Sequence, residues 1–207
     1  MRQKAEYRSS IRSRRLIREA FLQLLKEKEL RRITVTEIVR RADINRATFY
    51  SHYPDVQGVL EEIENEIIDK LTLVLNEVQF PSFFRDPVLL LLKTTRYLEE
   101  DLDFYRTLIL SSGSERFLEK LRRCILDYMR SDTALPEDIR SSSIFALRVG
   151  YFSGGIITLY QQWFRGELDC PLEDIPLEVG RIIRSSSEEL LKALPEGGAP
   201  DSPSVSN

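Results

Sequence analysis

Apolar positions recur at helical spacing along almost the whole chain, and no stretch shows the two-residue alternation of a half-buried strand. Ile17, Ala20, Phe21, Leu24 and Leu25 form one stripe. They predict a first helix starting near Ser9 or Ser10, where a hydroxyl can cap free amides. Its other face carries arginines. After the charged turn Lys28 to Arg32, Thr34-Val35-Thr36-Glu37 has the Thr-x-x-Glu spacing of a capping box, so a short second helix should run to about Ala42. Asp43-Ile44-Asn45 then predicts a tight turn. Asn45 is suited to cap a third helix from Arg46 to about Tyr53, which Pro54 ends.

Asp55 is suited to cap a long fourth helix in which Val56, Val59, Leu60, Ile63, Ile67, Leu71, Val74 and Val78 keep the helical period. Phe80-Pro81-Ser82 should interrupt it. Pro87 suits the first turn of the next helix, expected over about 87–101, with others over 103–111 and 114–130. Pro136 should open a long stretch to about Phe164, and Pro176 another to about Leu194. The end, PEGGAPDSPSVSN, is rich in Pro, Gly and Ser without apolar period, which predicts a disordered tail over 195–207. The pattern describes an all-α chain.

Charge adds a division that hydropathy does not show. The net charge is −3, yet residues 1–53 hold 14 Lys+Arg and 6 Asp+Glu, net +8, while the remainder carries −11. Such asymmetry points to a polyanion-binding module joined to an acidic body, although a solvated basic helix face has the same composition. Cys124 and Cys170 match no zinc or redox spacing, so no disulfide is expected. The single histidine, His52, leaves little material for His-based catalysis or a His-rich metal site. With no nucleophile-base pair and no Gly-rich phosphate loop, the chain reads as non-enzymatic, with neither cofactor nor metal. No apolar run approaches the roughly 18 residues of a membrane span, and MRQKAEYRSS lacks the apolar core of a secretory signal. A cytoplasmic protein without membrane association is expected.

Two short helices joined by a three-residue turn, with polar and basic residues on the second, fit a helix-turn-helix whose recognition helix enters the major groove. Arg46, Ala47 and Thr48 keep the start of that helix small or polar, as entry into the groove requires. Tyr50, Ser51 and His52 can reach flanking phosphates, while Ile44 and Phe49 face the core. The block from Ile33 to Asp55, above all Thr48-Phe49-Tyr50-x-His52-Tyr53, resembles the signature of the TetR/AcrR family of transcriptional regulators; the match covers roughly the first 60 residues.

This resemblance implies a three-helix helix-turn-helix DNA-binding domain over 1–55 and a larger helical effector-binding and dimerisation domain over 56–194. The last two long helices would form a four-helix bundle with those of a second copy. The implied partner is double-stranded DNA carrying a palindromic operator, touched by Thr34, Thr36, Asn45, Arg46, Ala47, Thr48, Tyr50, Ser51 and His52. One departure stands out. Where the family has a basic residue at the start of the fourth helix, this chain has Val56-Gln57, so Gln57 or nearby amides take that contact.

In the body, Ala146, Gly150 and Gly154 repeat at small-xxx-small spacing, which admits another helix closely, from the same chain or from a partner. Gly154-Gly155 weakens the same helix. Candidate homodimer contacts are Phe145, Tyr160, Trp163, Val179, Ile182, Ile183 and Leu190. Candidate walls for a small hydrophobic effector are Tyr97, Phe104, Tyr105, Phe117, Tyr128, Tyr151 and Phe152, against a background in which aromatic residues at helical spacing are mostly core. Cys124 shares a register with Phe117, Leu121 and Tyr128 and reads as inert core. The expected function is that of a repressor released from its operator by an effector. The alternative is an architectural or coactivator-type DNA-binding protein on the same fold, without an inducer.

Overall fold

Side-chain caps start five of the helices described below. The computed structural model describes residues 2–77, 83, 85–111, 114–133 and 135–186, with side chains described from residue 9 onward. The helices are α1 (Arg2–Glu27), α2 (Val35–Arg41), α3 (Arg46–Tyr50), α4 (Val56–Asn76), α5 (Pro87–Glu99), α6 (Leu102–Leu110), α7 (Glu115–Ser131), α8 (Glu137–Ser141), α9 (Ser143–Arg165) and α10 (Asp174–Ser186), with a 3₁₀ turn at Leu30–Arg32. Among the described residues there is no strand.

The predicted capping box forms. Thr34 Oγ1 accepts the Glu37 N–H at 3.3 Å while Glu37 Oε2 accepts the Thr34 N–H at 3.0 Å. Asn45 Oδ1 accepts the Thr48 N–H at 2.7 Å, and Asp55 Oδ1 the Gly58 N–H at 2.8 Å. Between α2 and α3, Asp43 holds a positive φ of 50°, a conformation that Asp and Asn tolerate better than most residues.

Several boundaries differ from those expected. Helix α1 starts at Arg2, and Ser9 and Ser10 lie inside it: Ser13 Oγ donates to the Ser9 carbonyl at 2.9 Å, as in a helix interior. The segment before them holds no Gly or Pro, so the helix continues through it. Helix α3 ends at Tyr50, and the amides of His52 and Tyr53 both turn back to the Phe49 carbonyl. The stretch expected to run from Pro136 to Phe164 is two helices. Ser142 is extended and its hydroxyl accepts the Phe145 N–H at 3.1 Å, starting α9 afresh. Helix α10 begins at Asp174, with Pro176 inside its first turn. Val78, Phe80-Pro81-Ser82, the expected end at Leu194 and the 195–207 tail lie outside the described residues.

Helix α9 runs unbroken through Gly154-Gly155. By length and composition it is apolar enough to cross a membrane, which the search for apolar runs passed over. It carries the exposed Arg148 and buries Phe145, Val149, Tyr160 and Phe164 against the body, while Ile144, Leu147 and Tyr151 stay exposed. The closest helix packing falls elsewhere, between α5 and α10, where a Cβ on Gly180 would run into the Val88 side chain.

The apolar residues form two clusters. The first gathers Phe21, Ile38, Phe49, Val59 and Ile63 with Leu108, Phe117 and Phe164 of the body. The second gathers Val74, Leu75, Leu90, Met129, Phe145, Tyr160 and Ile183. Helix α4 belongs to both.

The capping box yields a pH-dependent prediction. Its contacts with Lys28 and with the Thr34 side chain and amide push the Glu37 pKa down from 4.5 to about 2. A depressed carboxylate pKa contributes stability that is complete above about pH 4.5 and is lost as the pH falls towards 2. Thr34→Ala should lower unfolding stability at pH 7 by about 1 kcal/mol. Glu37→Gln should flatten the loss of stability between pH 4.5 and 2, as read by urea midpoints across that range.

Candidate nucleic-acid interface and internal cavity

The second and third helices are oriented from beneath by apolar anchors. Ile38, Ala42, Phe49 and Tyr53 are buried, so the opposite face of α3 is turned to solvent. A bidentate ion pair fastens α2 to α1: Arg41 donates to Glu27 at 2.5 and 2.9 Å.

On the solvent face, Arg46 and Ala47 are exposed at the start of α3. Tyr50 is half exposed, its ring standing edge-on to Phe49 at 5.6 Å between centroids, which leaves the hydroxyl at the surface. Thr36, Asn45 and Ser51 are exposed; Thr48, His52 and Gln57 are partly buried. Three of the expected contacts already have structural work. The Thr34 hydroxyl donates to Glu37 at 2.8 Å, the Thr48 hydroxyl to Asn45 Oδ1 at 3.0 Å, and the Ser51 hydroxyl to the Thr48 carbonyl at 2.7 Å. Asn45 spends its oxygen on the cap and keeps its amide N–H donors. Burial, with Arg14 nearby, lowers the His52 pKa below its ordinary 6.5, so near pH 7.5 it is a neutral donor or acceptor.

Pairing divides the basic residues in a way that the charge count did not show. Arg14, Arg15, Arg18, Lys26, Lys28, Arg31 and Arg41 each lie within 4.0 Å of a carboxylate. Arg12, Arg32, Arg40 and Arg46 are exposed and have no carboxylate in reach among the described residues, so their guanidinium groups remain available to phosphate or base edges. The sequence reading singled out only Arg46 of these four. The pairs of Arg15 with Glu19 and of Arg31 with Glu29 are local, whereas those of Arg14, Arg18, Lys26 and Arg41 join residues 14 to 77 positions apart, which a charge count along the chain does not show.

In the body, the second apolar cluster, with Tyr105, Ile109 and Phe117 of the first, surrounds a cavity of about 210 Å³. Of the seven aromatic residues expected around an effector, Tyr97, Tyr105, Phe117 and Phe152 line it. Phe104, Tyr128 and Tyr151 do not. Phe104 packs on the first cluster and against Tyr105, Tyr128 Oη donates to the Leu75 carbonyl, and Tyr151 is 74% exposed. Cys124 is partly buried with its Sγ 3.5 Å from Thr72 Oγ1.

The expected homodimer residues are also redistributed. Phe145, Tyr160, Val179 and Ile183 are buried within the chain; Tyr160 shares a 2.5 Å hydrogen bond with Thr95, and Trp163 Nε1 donates to the Cys170 carbonyl at 2.9 Å. Ile182 is exposed, and Leu190 lies outside the described residues. The apolar residues that α9 and α10 turn to solvent are Ile144, Leu147, Tyr151, Leu177 and Ile182. Gly150 and Gly154 have open space where a Cβ would stand, so among the described residues no helix of the same chain packs on these two positions.

Residues 17–63 match the family described as bacterial regulatory proteins, tetR family, and residues 87–185 match a transcriptional regulator C-terminal region. The chain is 37% identical over 78 residues to the uncharacterized HTH-type transcriptional regulator YxbF of Bacillus subtilis (strain 168). That stretch is 35% of this chain and spans only 20% of the relative's length. It is 27% identical over 139 residues to the HTH-type dhaKLM operon transcriptional activator DhaS of Lactococcus lactis subsp. lactis (strain IL1403), covering 66% of this chain and 71% of that one. A TetR transcriptional regulator from Streptococcus agalactiae 2603V shares the fold over 87% of this chain and 98% of its own, with a TM-score of 0.61 at 21% identity. These matches are to transcriptional regulators, not to enzymes.

Two substitutions separate the roles on the solvent face. Arg46→Ala should cost roughly 1 to 3 kcal/mol on a cognate duplex and much less on a scrambled one, because a base contact and not a phosphate contact is lost. His52→Ala should weaken binding at pH 7.5 with no change in slope, because the imidazole is neutral there. Titrations at several salt concentrations on cognate and scrambled duplexes check both.

Proposed function

Because the chain belongs to the TetR family of bacterial regulatory proteins, we propose that it is a sequence-specific DNA-binding transcriptional regulator that acts as a homodimer on a palindromic operator. The observation that carries this reading is the start of α3. An unpaired, exposed Arg46 and the small Ala47 stand there above a fully buried Phe49, so a cation and a low-profile surface are presented on a rigid support. Thr36, Asn45, Tyr50, Ser51, His52 and Gln57 flank it as backbone contacts, while Thr34 and Thr48 contribute mainly through the caps they complete. Such a protein acts where the chromosome is, in the cytoplasm.

Dimerisation uses the outward faces of α9 and α10. Ile144, Leu147, Tyr151 and Ile182 expose apolar surface beside the open positions at Gly150 and Gly154, which a second copy can cover. This face replaces the buried residues first expected there. Two copies related by a two-fold axis present two α3 helices, matching the symmetry of a palindrome. The reader is the segment 1–55 and the dimerising, effector-binding body is 56–194.

The regulatory reading is repression relieved by a small hydrophobic effector held in the cavity lined by Tyr97, Tyr105, Phe117 and Phe152. A second reading, activation, is favoured by one observation: the Lactococcus relative is named an operon activator. Genome-wide occupancy with transcript profiling of a deletion strain separates them. A few palindromic sites with neighbouring transcripts rising in the deletion mean repression, and falling transcripts mean activation. Hundreds of dispersed sites without transcript change would contradict both and indicate an architectural protein.

The dimer face gives its own prediction. Leu147→Asp, at a side chain 72% exposed in the single chain, should leave thermal unfolding of the fold nearly intact while giving monomers in sedimentation at micromolar concentration. Operator affinity should fall by at least a factor of about 100, because one recognition helix must then bind alone.

A further inference from the structure

We infer that the cavity binds a single-chain amphiphile with an anionic head group, its aliphatic tail among the body helices and its head between Lys70 and Arg148. This rests on the reading of that cavity as an effector site and names the chemistry that would fill it. The wall is apolar over most of its extent, with Leu71, Val74, Leu91, Ile125, Phe152 and Ile156 among its residues. Its volume of about 210 Å³ exceeds the roughly 150 Å³ at which an apolar cavity is known to stay dry and to admit benzene. An empty space of this size forfeits packing in proportion to its volume, so an apolar occupant is favoured.

The charged lining is one-sided. Lys70 of α4 and Arg148 of α9 line the cavity and are also exposed, so both side chains stand where its lining reaches solvent. Neither has a carboxylate within 4.0 Å among the described residues, and no Asp or Glu is among the described residues of the wall. This is the reverse of the body's composition, since beyond residue 53 the chain holds 27 Asp+Glu against 16 Lys+Arg. Several wall hydroxyls are already engaged: Thr94 donates to the Leu91 carbonyl, Ser153 to the Gly150 carbonyl, and Tyr160 bonds with Thr95. An apolar tail with a neutral polar head would find few free partners at the opening. A negative head meets cationic side chains and no carboxylate along the exposed lining, where a positive head is repelled.

The test is calorimetric titration of the full-length protein, free of DNA, with decanoate, decanol and decylamine at pH 7.5. Decanoate should bind at least about tenfold more tightly than decanol, and decylamine most weakly. Across hexanoate, octanoate and decanoate, affinity should rise about fourfold per added methylene until the cavity is full. Lys70→Gln and Arg148→Gln should each erode the preference for decanoate over decanol while leaving decanol affinity unchanged. Equal binding of decanoate and decanol, or a preference that survives in the double variant, would overturn the assignment of the head group and leave the cavity as an effector site. Binding of none of these ligands would overturn the assignment together with the effector reading. Operator binding, measured separately on the same preparations, reports on the DNA-binding reading whichever way the ligand results fall.

Discussion

Helix α4 must satisfy two hydrophobic clusters at once, and the geometry of the recognition helix follows from that. Its first half contributes Val59, Leu60 and Ile63 to the cluster beneath α1–α3, and its second half contributes Val74 and Leu75 to the cluster of the body. Where the two meet, Glu64 is 1% exposed and pairs with Lys120 of α7 at 2.5 Å. A carboxylate so buried is tolerated only with its counter-charge in place, so α4 and α7 are fixed in register at that point. The neighbouring acidic residues divide between two partners: Glu62 and Glu66 face Arg14 and Arg18 of α1, and Glu61 faces Arg116 of α7. One short stretch of α4 thereby holds the DNA-reading helices on one side and the body on the other.

The first cluster also crosses the expected domain boundary. Phe21, Ile38 and Phe49 share it with Tyr105, Leu108, Phe117 and Phe164, so the reader has no apolar core separate from the body. This offers a physical route for regulation. A ligand in the proposed effector cavity would touch Ile67, Lys70, Leu71 and Val74 of α4, and a displacement there would act on a helix whose other end packs on α1 and shares the first cluster with Ile38 and Phe49. The required element is a stiff rod with two loaded ends, and α4 has 21 residues without proline and with a glycine only in its first turn.

What the sequence made legible was local. The Thr34-x-x-Glu37 box, the Asn45 and Asp55 caps and the buried stripe of α1 depend on residues three or four apart, and each forms as its spacing indicates. Facing was harder, because α9 carries apolar residues all round. Phe145 and Tyr160 turn inward while Ile144, Leu147 and Tyr151 turn outward, and periodicity alone does not say which set meets a partner. Long-range pairing was not legible either. Arg14 and Arg18 are partly neutralised by glutamates 48 residues away, whereas Arg12, Arg32 and Arg40 have no such partner, and all read alike in a charge count. Nothing along the chain marks Gly180, whose place is explained by the approach of Val88 from α5.

Native-state hydrogen exchange tests the shared-core account most directly, because it reports the free energy at which each helix opens. If α4 and the first cluster weld reader and body together, the slowest amides of α1 and α2, such as those of Phe21, Leu24 and Ala42, should open at the same free energy as those of Ile63 and Leu108. They should also respond equally to added denaturant, as one cooperative unit. Exchange of the α1 and α2 amides through a separate opening several kcal/mol cheaper, with the body still protected, would show an independently unfolding reader and contradict it.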